Sequence, residues 1–206
     1  MCNLYSMTRT QEAMRQLFQG LNDRTGNLPP LAETYPDQSA PIVRQRADGL
    51  ELVMGRWGMP TPPQFLLGKK TDRGVTNIRN SASPHWRQWA ATSHRCLVPF
   101  TRFAEPSAKG GNLWIGLRDD RPAFFPGLWA RWTSVRKVKD GETTDELFAF
   151  LTRDPTAIVA GHPAKSLPVI LTTPEEWQLW LNAPWPEALR LHAPSNDDDL
   201  VLIEEA

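Results

Sequence analysis

The most distinctive chemistry in this chain belongs to its second residue, Cys2. Once Met1 is removed, Cys2 carries a free α-amine and a thiol on adjacent carbons. This pair condenses with an aldehyde: the amine forms an imine with loss of water, and the thiol closes onto the imine to give a five-membered thiazolidine. An α-amine has a pKa of about 8, against about 10.4 for lysine, so much more of it is unprotonated near neutral pH. The alternative is that Cys2 is a small, buried apolar residue.

Four polar residues in mainly apolar segments are candidates to assist such a reaction. Glu105 follows an apolar run, and partial burial raises the pKa of a carboxyl and suits it to proton transfer. His162 precedes another apolar segment, and histidine titrates near neutral pH. Asn77 and Arg79 alternate, which places them on one face of a strand, where the pair suits phosphate or carboxylate binding. The structural alternatives are a solvated glutamate, a solvated loop histidine and an edge-strand salt bridge.

Aromatic and basic side chains are interleaved along the chain, which contains nine tryptophans. Such a set is able to form a stacking and phosphate-binding track for single-stranded nucleic acid. Its members are Trp57, Trp86, Trp89, Trp129 and Trp132, with Arg79, Arg87, Arg95, Arg102 and Arg131. The alternative is a tryptophan-rich core with solvated arginines around it.

Composition limits the classes of protein that remain. The 206 residues suit one domain, and the 23 basic and 23 acidic side chains cancel, so any anion site must be local. Two cysteines, Cys2 and Cys96, make no disulfide framework and fit a reducing cytoplasm. The first 25 residues contain no secretory apolar segment, and no apolar run reaches the roughly 18 residues of a membrane span. Scattered histidines give no metal-binding spacing, so we expect no metal and no cofactor.

Local patterns predict many short strands and a few helices. Asp48-Gly49 between alternating apolar runs predicts a hairpin, and Thr173-Pro174 followed by Glu176 predicts a capped helix. The further predicted elements are a helix over 8–21 capped by Thr8, a loop over 22–38, a short helix from Ser83, strands over 95–103, 113–117, 123–125, 127–132, 146–152 and 200–203, and a charged loop over 136–144. We therefore predict a single α+β domain over 1–206, with a mostly antiparallel, barrel-like sheet. The absence of a heptad pattern favours a monomer.

Ordered landmarks along the chain resemble those of the SOS response-associated peptidase family, the abasic-site-processing proteins. Each landmark is short, but their order and spacing are specific, and the resemblance extends from Met1 to about Asn182. The landmarks are Met1-Cys2, Pro41-Ile42-Val43-Arg44, Trp57-Gly58-Met59-Pro60, Asn77-Ile78-Arg79, Arg95-Cys96-Leu97-Val98-Pro99, Phe103-Ala104-Glu105, Gly127-Leu128-Trp129, Leu151-Thr152, and His162 before Leu167-Pro168-Val169-Ile170-Leu171.

The resemblance implies a function as well as a family. Members lose the initiator methionine, by self-processing in which Glu105 is implicated here, and capture the aldehyde of an abasic site in single-stranded DNA as a thiazolidine crosslink. It implies that Cys2 is the nucleophile, that Glu105 and His162 move protons, and that Asn77 organises the site. It also implies substrate or DNA contacts for Arg79, Thr152, Trp57, Pro41 and Arg44. The expected location is the cytoplasm, at the nucleoid when DNA is bound.

The sequence departs from the family pattern at several positions, and two other functions stay open. Asn3 stands where many members have glycine, Pro106 where tryptophan is usual and Ser81 where glutamate is frequent, while the loop after His162 is longer. One alternative is a non-covalent single-stranded nucleic-acid-binding module with an unused Cys2. The other is a thiol peptidase that cleaves other proteins.

Overall fold

The computed structural model describes residues 2–193 and 197–203, and most of its regular structure is strand. The strands are β1 Leu4–Met7, β2 Asn22–Asp23, β3 Leu31–Thr34, β4 Ser39–Arg46, β5 Gly49–Trp57, β6 Asn77–Ile78, β7 Arg95–Phe100, β8 Arg102–Pro106, β9 Asn112–Leu117, β10 Ala123–Val135, β11 Glu142–Arg153, β12 Leu167–Pro168 and β13 Leu200–Ile203. The α-helices are α1 Gln11–Leu17, α2 Pro174–Asn182 and α3 Trp185–Ala188.

Five strands close into a barrel, which confirms the predicted fold class. Their order is β11-β10-β7-β4-β5, with antiparallel neighbours throughout and one parallel pairing, β5 with β11, that closes the ring. In that pairing Arg56 lies opposite Leu147 and Trp57 opposite Phe148. A second, five-stranded sheet has the order β13-β9-β8-β1-β3, and it receives the chain where β7 passes into β8. The single strand predicted over 95–103 is thus two strands, one in each sheet.

Aromatic rings fill the space between the barrel and the second sheet. Tyr5 of β1 is fully buried, and its ring meets the rings of Trp57, Phe125 and Phe150 edge-on at centroid distances of 5.1, 5.8 and 6.1 Å. Edge-on contact is a preferred geometry for such pairs. Because Tyr5 lies three residues after Cys2, the chain's second residue is fixed by the core.

The predicted helices and turns are largely confirmed, with shifted ends. The Asp48-Gly49 turn joins β4 to β5, and the capping box of α2, formed by Thr173 and Glu176, is present. α1 is shorter than predicted, and its N-cap is Thr10, because Thr8 instead bonds to the Thr101 hydroxyl at 3.2 Å. None of the helices in the described part of the chain is long and apolar enough to cross a membrane.

Three further expectations about strands need correction. The loop predicted over 22–38 contains β2 and β3, because their backbones pair with β5 and β1. The two strands predicted over 123–132 are one strand, β10, which continues through Pro126 without a break. The charged loop over 136–144 is shorter than predicted, because β11 begins at Glu142 and pairs with Val135.

Gly127 marks a point of close approach inside the barrel. A Cβ atom at this position would lie 2.8 Å from the Cys96 sulfur and 2.9 Å from the Ala149 carbonyl oxygen. We expect Gly127→Ala to lower the free energy of unfolding by about 1–3 kcal/mol, because overpacking forces its neighbours to move. Denaturant unfolding measures the change, and Arg131→Ala, on the exposed part of the same strand, is the control. Equal stability of the two variants would contradict this.

Candidate active site and adjoining groove

The pairing of β1 with β8 places Cys2 beside Glu105. Leu4 lies opposite Ala104 and Tyr5 opposite Phe103, so the antiparallel register carries the start of β1 along the end of β8. Cys2 is fully buried and Glu105 is 1% exposed. The Cys2 thiol donates a weak hydrogen bond of 3.5 Å to the Leu4 carbonyl oxygen. Two groups that the sequence separates by about half the chain therefore share one buried site.

The side-chain amide of Asn77 holds the backbone of Cys2. Its Nδ2 donates to the Cys2 carbonyl oxygen at 2.9 Å and to Thr76 Oγ1 at 2.8 Å. β6 supplies Asn77 through a short parallel pairing with β11, in which Asn77 lies opposite Phe150. The Trp57 indole donates to the Thr76 carbonyl oxygen at 3.0 Å and so fixes the same segment. The amide thus orients the residue predicted to react.

Burial favours the uncharged forms of the Cys2 thiol and the Glu105 carboxyl. Burial raises the pKa of the Cys2 thiol, and the neighbouring Glu105 carboxylate adds to the rise, while backbone hydrogen bonds at Leu4 and Ala104 oppose it. Burial also raises the pKa of Glu105. Desolvation disfavours the charged form of each group. A carboxylate with a raised pKa is a stronger base than an exposed one, so Glu105 is suited to accept the thiol proton.

His162 lies against the hairpin that follows Glu105. Its backbone N–H donates to the Val159 carbonyl oxygen at 3.0 Å, and its Nδ1 accepts from the Ala108 backbone N–H at 3.2 Å. Ala108 belongs to the turn between β8 and β9. Because Nδ1 accepts, the neutral ring carries its proton on Nε2, from which it can be donated. The structure therefore brings His162 to the connection next to the Glu105 strand, with a defined tautomer.

Three cavities that share wall residues with one another make up the groove described below, which begins at Glu105. The first, about 460 Å³, is lined by Glu105, Asn3 and Thr76 among others, and it shares Arg73 with the second. The second, about 810 Å³, is lined by Asn77, Lys69, Lys70 and His85, and it shares Arg79 with the third. The third, about 720 Å³, includes Thr152, Thr156 and His192 in its wall. Asn77 and Arg79 line one groove, as their alternation predicts.

The wall that carries Lys69, Lys70 and Arg73 is a rigid loop. The Asp72 carboxylate accepts from the backbone N–H groups of Thr61 at 3.1 Å and Gly74 at 2.7 Å, which ties the two ends of the loop together. Gly74 has a φ of +78°, and a Cβ there would meet the buried Arg136 guanidinium. The basic side chains are consequently presented to the groove by a fixed backbone.

Arg79 and Thr152 lie side by side at the start of the third cavity. The parallel register places Ile78 opposite Leu151, so the next residues along, Arg79 and Thr152, are neighbours. Arg79 is exposed and its Nη2 lies 3.2 Å from Asp154 Oδ1. Thr152 is 1% exposed, and its hydroxyl has no hydrogen-bond partner among the residues that the structure describes. Arg79 is therefore placed to contact a ligand in the groove, whereas the Thr152 hydroxyl is covered in this structure.

Three residues predicted to contact the substrate are instead buried in the barrel. Trp57 is fully buried with its ring stacked near Phe150 at 5.2 Å, and Pro41 is buried on β4. Arg44 is 4% exposed, forms a 2.6 Å ion pair with Glu51, and lies over the Trp129 ring. No accessible face is left on Trp57, Pro41 or Arg44, so we assign them structural roles.

The predicted tryptophan track is mostly core. Trp86, Trp89 and Trp129 are each 6% exposed or less, and only Trp86 among them lines the groove. Trp132 is 40% exposed. Arg95 is also buried, where it donates to the carbonyl oxygens at the end of α2. The tryptophan-rich core is therefore the better interpretation for most of the set.

Sequence reasoning missed several groove residues. Lys69-Lys70 belongs to none of the predicted motifs, although two adjacent lysines after Gly68 are a usable signal. Thr76 was not singled out beside Asn77. Thr156 and His192 carry no motif, and only the tertiary fold brings them to Thr152. Within residues 2–193 and 197–203, no group of three or more histidine, cysteine or acidic side chains is arranged to hold a metal.

Comparison with known proteins confirms the family resemblance. The model of the family described as SOS response associated peptidase (SRAP) matches residues 1–204. No curated protein matches the sequence. Solved structures do match: one from Bordetella bronchiseptica is 24% identical, with a TM-score of 0.73 over 99% of this chain and 100% of the other. One from Bacteroides thetaiotaomicron is 21% identical, with a TM-score of 0.74 over 98% and 92%. A phage-related protein from Bordetella bronchiseptica is 19% identical, with a TM-score of 0.70 over 99% and 95%. At these identities the structures establish the fold.

The raised pKa of Glu105 makes a prediction about stability. A carboxyl with a raised folded-state pKa stabilises the protein fully below its unfolded pKa, and this contribution is lost as the pH rises through the folded pKa. We therefore expect Glu105→Gln, which removes the charge, to raise the free energy of unfolding at about pH 8 and to make little difference at about pH 4. Denaturant unfolding across this range measures it. Glu142→Gln, at an exposed position, is the control, and a wild type more stable than Glu105→Gln at high pH would refute the assignment.

Proposed function

The chain belongs to the SOS response associated peptidase family, and from that premise we propose that it captures abasic sites in single-stranded DNA through Cys2. Family membership itself supports an SOS-associated, DNA-related function. The observation that carries the finer proposal is the position of Cys2, which is buried beside Glu105, held by Asn77, and next to a groove with a basic wall. A covalent function needs a positioned nucleophile, a base and a binding site for the substrate. Cys2 and Glu105 are the candidates for the first two, and the groove beside Asn77 is the candidate for the third.

The first step is hydrolysis of the Met1–Cys2 peptide bond. One water molecule is consumed, free methionine leaves, and Cys2 gains an α-amine. Asn77 donates to the Cys2 carbonyl oxygen, which is not part of the bond that breaks. Asn77 therefore orients Cys2, the nucleophile of the next step. Glu105 is the base we assign to this step, because its raised pKa suits proton transfer. The peptidase activity implied by the family description is thereby directed at the chain itself.

The second step joins Cys2 to the open-chain aldehyde of the abasic sugar. The amine adds to the aldehyde carbon, water leaves, and an imine forms. The thiol sulfur then adds to the imine carbon while its proton passes to the nitrogen, so that aldehyde and aminothiol become thiazolidine and one water. Glu105 accepts the thiol proton and returns it to the nitrogen. His162 donates a hydrogen bond from Nε2 to the departing hydroxyl oxygen, and solvent supplies the proton with which that oxygen leaves as water.

The groove supports the proposal that a chain with zero net charge binds DNA locally. Lys69, Lys70 and Arg79 line the groove, so positive charge is concentrated there although the net charge of the whole chain is zero. An abasic site offers sugar and phosphates but no base at the reacting position, and phosphate contacts position a strand without reading its sequence. The reaction proposed here takes place in the cytoplasm, by a monomer, on DNA at the nucleoid, and it requires no cofactor.

The direct test is intact mass measurement of the purified protein, before and after incubation with an abasic single-stranded oligonucleotide. We expect loss of Met1, then a gain equal to the oligonucleotide minus one water. Cys2→Ser keeps the amine but lacks the sulfur that closes the ring, so its adduct should disappear on heating. A wild-type protein that binds the oligonucleotide without any mass gain would favour the non-covalent binding module, and cleavage of unrelated peptides would favour a peptidase.

A second test concerns the basic wall. We expect the double variant Lys69→Ala/Lys70→Ala to bind single-stranded DNA more weakly in low salt, and the slope of log K against log salt to fall by about 1.4, because about 0.7 counterions are released per phosphate contact on a single strand. Fluorescence anisotropy over a salt series measures both. Lys137→Ala/Lys139→Ala, which lies outside the groove, is the matched control. An unchanged slope in the first variant would remove the wall from the DNA site.

A further inference from the structure

His85 presents a polar ring atom to the second cavity of the groove. The residue lies on the 3₁₀ helix Pro84–Trp89, is half-buried, and lines the cavity of about 810 Å³. Its hydrogen bonds involve the ring Nε2 atom and the backbone, so Nδ1 has no partner among the described residues. Nδ1 is also not one of the buried polar atoms that lack a partner, so it keeps accessible surface. A ligand in the cavity can therefore reach it.

A hydrogen bond and two aromatic contacts fix the His85 ring. Its Nε2 lies 2.9 Å from the Pro60 carbonyl oxygen, and because a carbonyl oxygen only accepts, Nε2 carries a proton and donates. The ring also meets the Trp86 and Trp89 rings edge-on, at centroid distances of 4.6 and 5.2 Å. The neutral ring therefore offers Nδ1 as an acceptor, whereas the protonated ring offers Nδ1 as a second, charged donor.

The charges around His85 favour an anion opposite Nδ1. The basic side chains that line the same cavity are Lys69, Lys70, Arg73 and Arg79, and no acidic side chain of the described residues lines it. The Asp72 carboxylate, on the loop with the lysines, is engaged by the backbone N–H groups of Thr61 and Gly74. The charged residue on the helix of His85 itself is the exposed Arg87. A phosphate has only acceptor oxygens, so it matches the protonated ring and not the neutral one.

We propose that His85 binds a phosphate of the DNA strand as an imidazolium, and that strand binding is therefore accompanied by uptake of one proton from solvent at Nδ1. The inference rests on the proposed function for the identity of the strand. The neighbouring cations disfavour a charged ring in the free protein, and a bound phosphate reverses that preference. His85 thus adds a contact that strengthens as the pH falls through the range in which histidine titrates, where lysine and arginine stay charged.

The test uses the full-length protein and a single-stranded thymidine oligonucleotide with one tetrahydrofuran abasic analogue, which lacks the aldehyde. Fluorescence anisotropy at constant ionic strength gives its dissociation constant at about pH 8 and at about pH 6, on either side of the ordinary histidine pKa. The variant is His85→Gln, whose amide keeps a donor for Pro60 but cannot become charged. We expect the gain in affinity from the higher to the lower pH to be about fivefold larger in the wild type than in His85→Gln.

His94→Gln is the matched control. The His94 ring also lies beside a backbone carbonyl oxygen, that of Trp129 at 3.1 Å from Nδ1, but His94 lines none of the three cavities of the groove. This variant should keep the wild-type dependence on pH. Other titratable groups near the strand, Glu105 and His162 included, are common to all three proteins, so their contributions cancel in the comparison.

Nuclear magnetic resonance of the wild-type chain tests the same step without a substitution, and so does not depend on how His85→Gln folds. At about pH 7, we expect the His85 Cε1–H signal to move towards its protonated position when the oligonucleotide binds. A neutral methylphosphonate placed at each linkage in turn identifies the phosphate, because one replacement should abolish the movement.

Three results overturn the proposal. They are the same dependence on pH in the wild type and His85→Gln, a His85 signal that does not move on binding, and an equal movement with inorganic phosphate alone at millimolar concentration, which would make the cavity a site for the free anion. None of them depends on crosslinking, because the oligonucleotide has no aldehyde. A protein that binds this oligonucleotide with the expected dependence on pH but forms no adduct with a true abasic site would contradict the Cys2 reaction and support this inference, so the two failures are distinguishable.

Discussion

The pairing of β1 with β8 is the interaction on which the rest of the site depends. A chain terminus is ordinarily poorly ordered unless a sheet or a core holds it. Here the backbone of residues 4–6 lies between β3 and β8, and the Tyr5 ring is inserted among the aromatic rings of the core. Cys2 is therefore positioned with the precision of a core residue, although it lies at the start of the chain. Without that pairing, Cys2 would not be held between Glu105 and Asn77.

Burial raises the pKa of both Cys2 and Glu105, and this has opposite consequences for their reactivity. It suppresses the thiolate of Cys2, which protects the sulfur from oxidants, because the thiolate is the reactive form. It also makes Glu105 more basic, so the group that must remove the thiol proton is strengthened by the same environment. An aminothiol reaction tolerates this arrangement, because the amine attacks first and the thiol is needed only once an imine is next to it.

Local signals predicted those features of the fold that local interactions create. Asp48-Gly49 specifies its own turn, and Thr173 with Glu176 specifies the start of α2. The closing contact between β5 and β11 joins residues about ninety positions apart, and no short pattern encodes it. Thr8 shows why a local rule fails: its hydroxyl bonds to Thr101 from another strand, and Thr10 caps the helix instead. Cys2, Asn77, Glu105 and Arg79 became candidates because the family landmarks contain them, and their roles stay predictions. The position of His85 in the groove exists only in the folded chain, and the burial of Trp57 and Arg44 is likewise a tertiary property.

The position of β1 in its sheet also determines when the site forms during synthesis. β1 is synthesised before its neighbour β8, which follows about one hundred residues later, and at roughly 5–20 residues per second this interval lasts several seconds or more. Throughout that interval the segment around Cys2 has no sheet to enter. The segment around Cys2 becomes enclosed only when the second sheet assembles. Because the proposed removal of Met1 uses Glu105 of β8, the aminothiol would form only after that sheet has assembled around it.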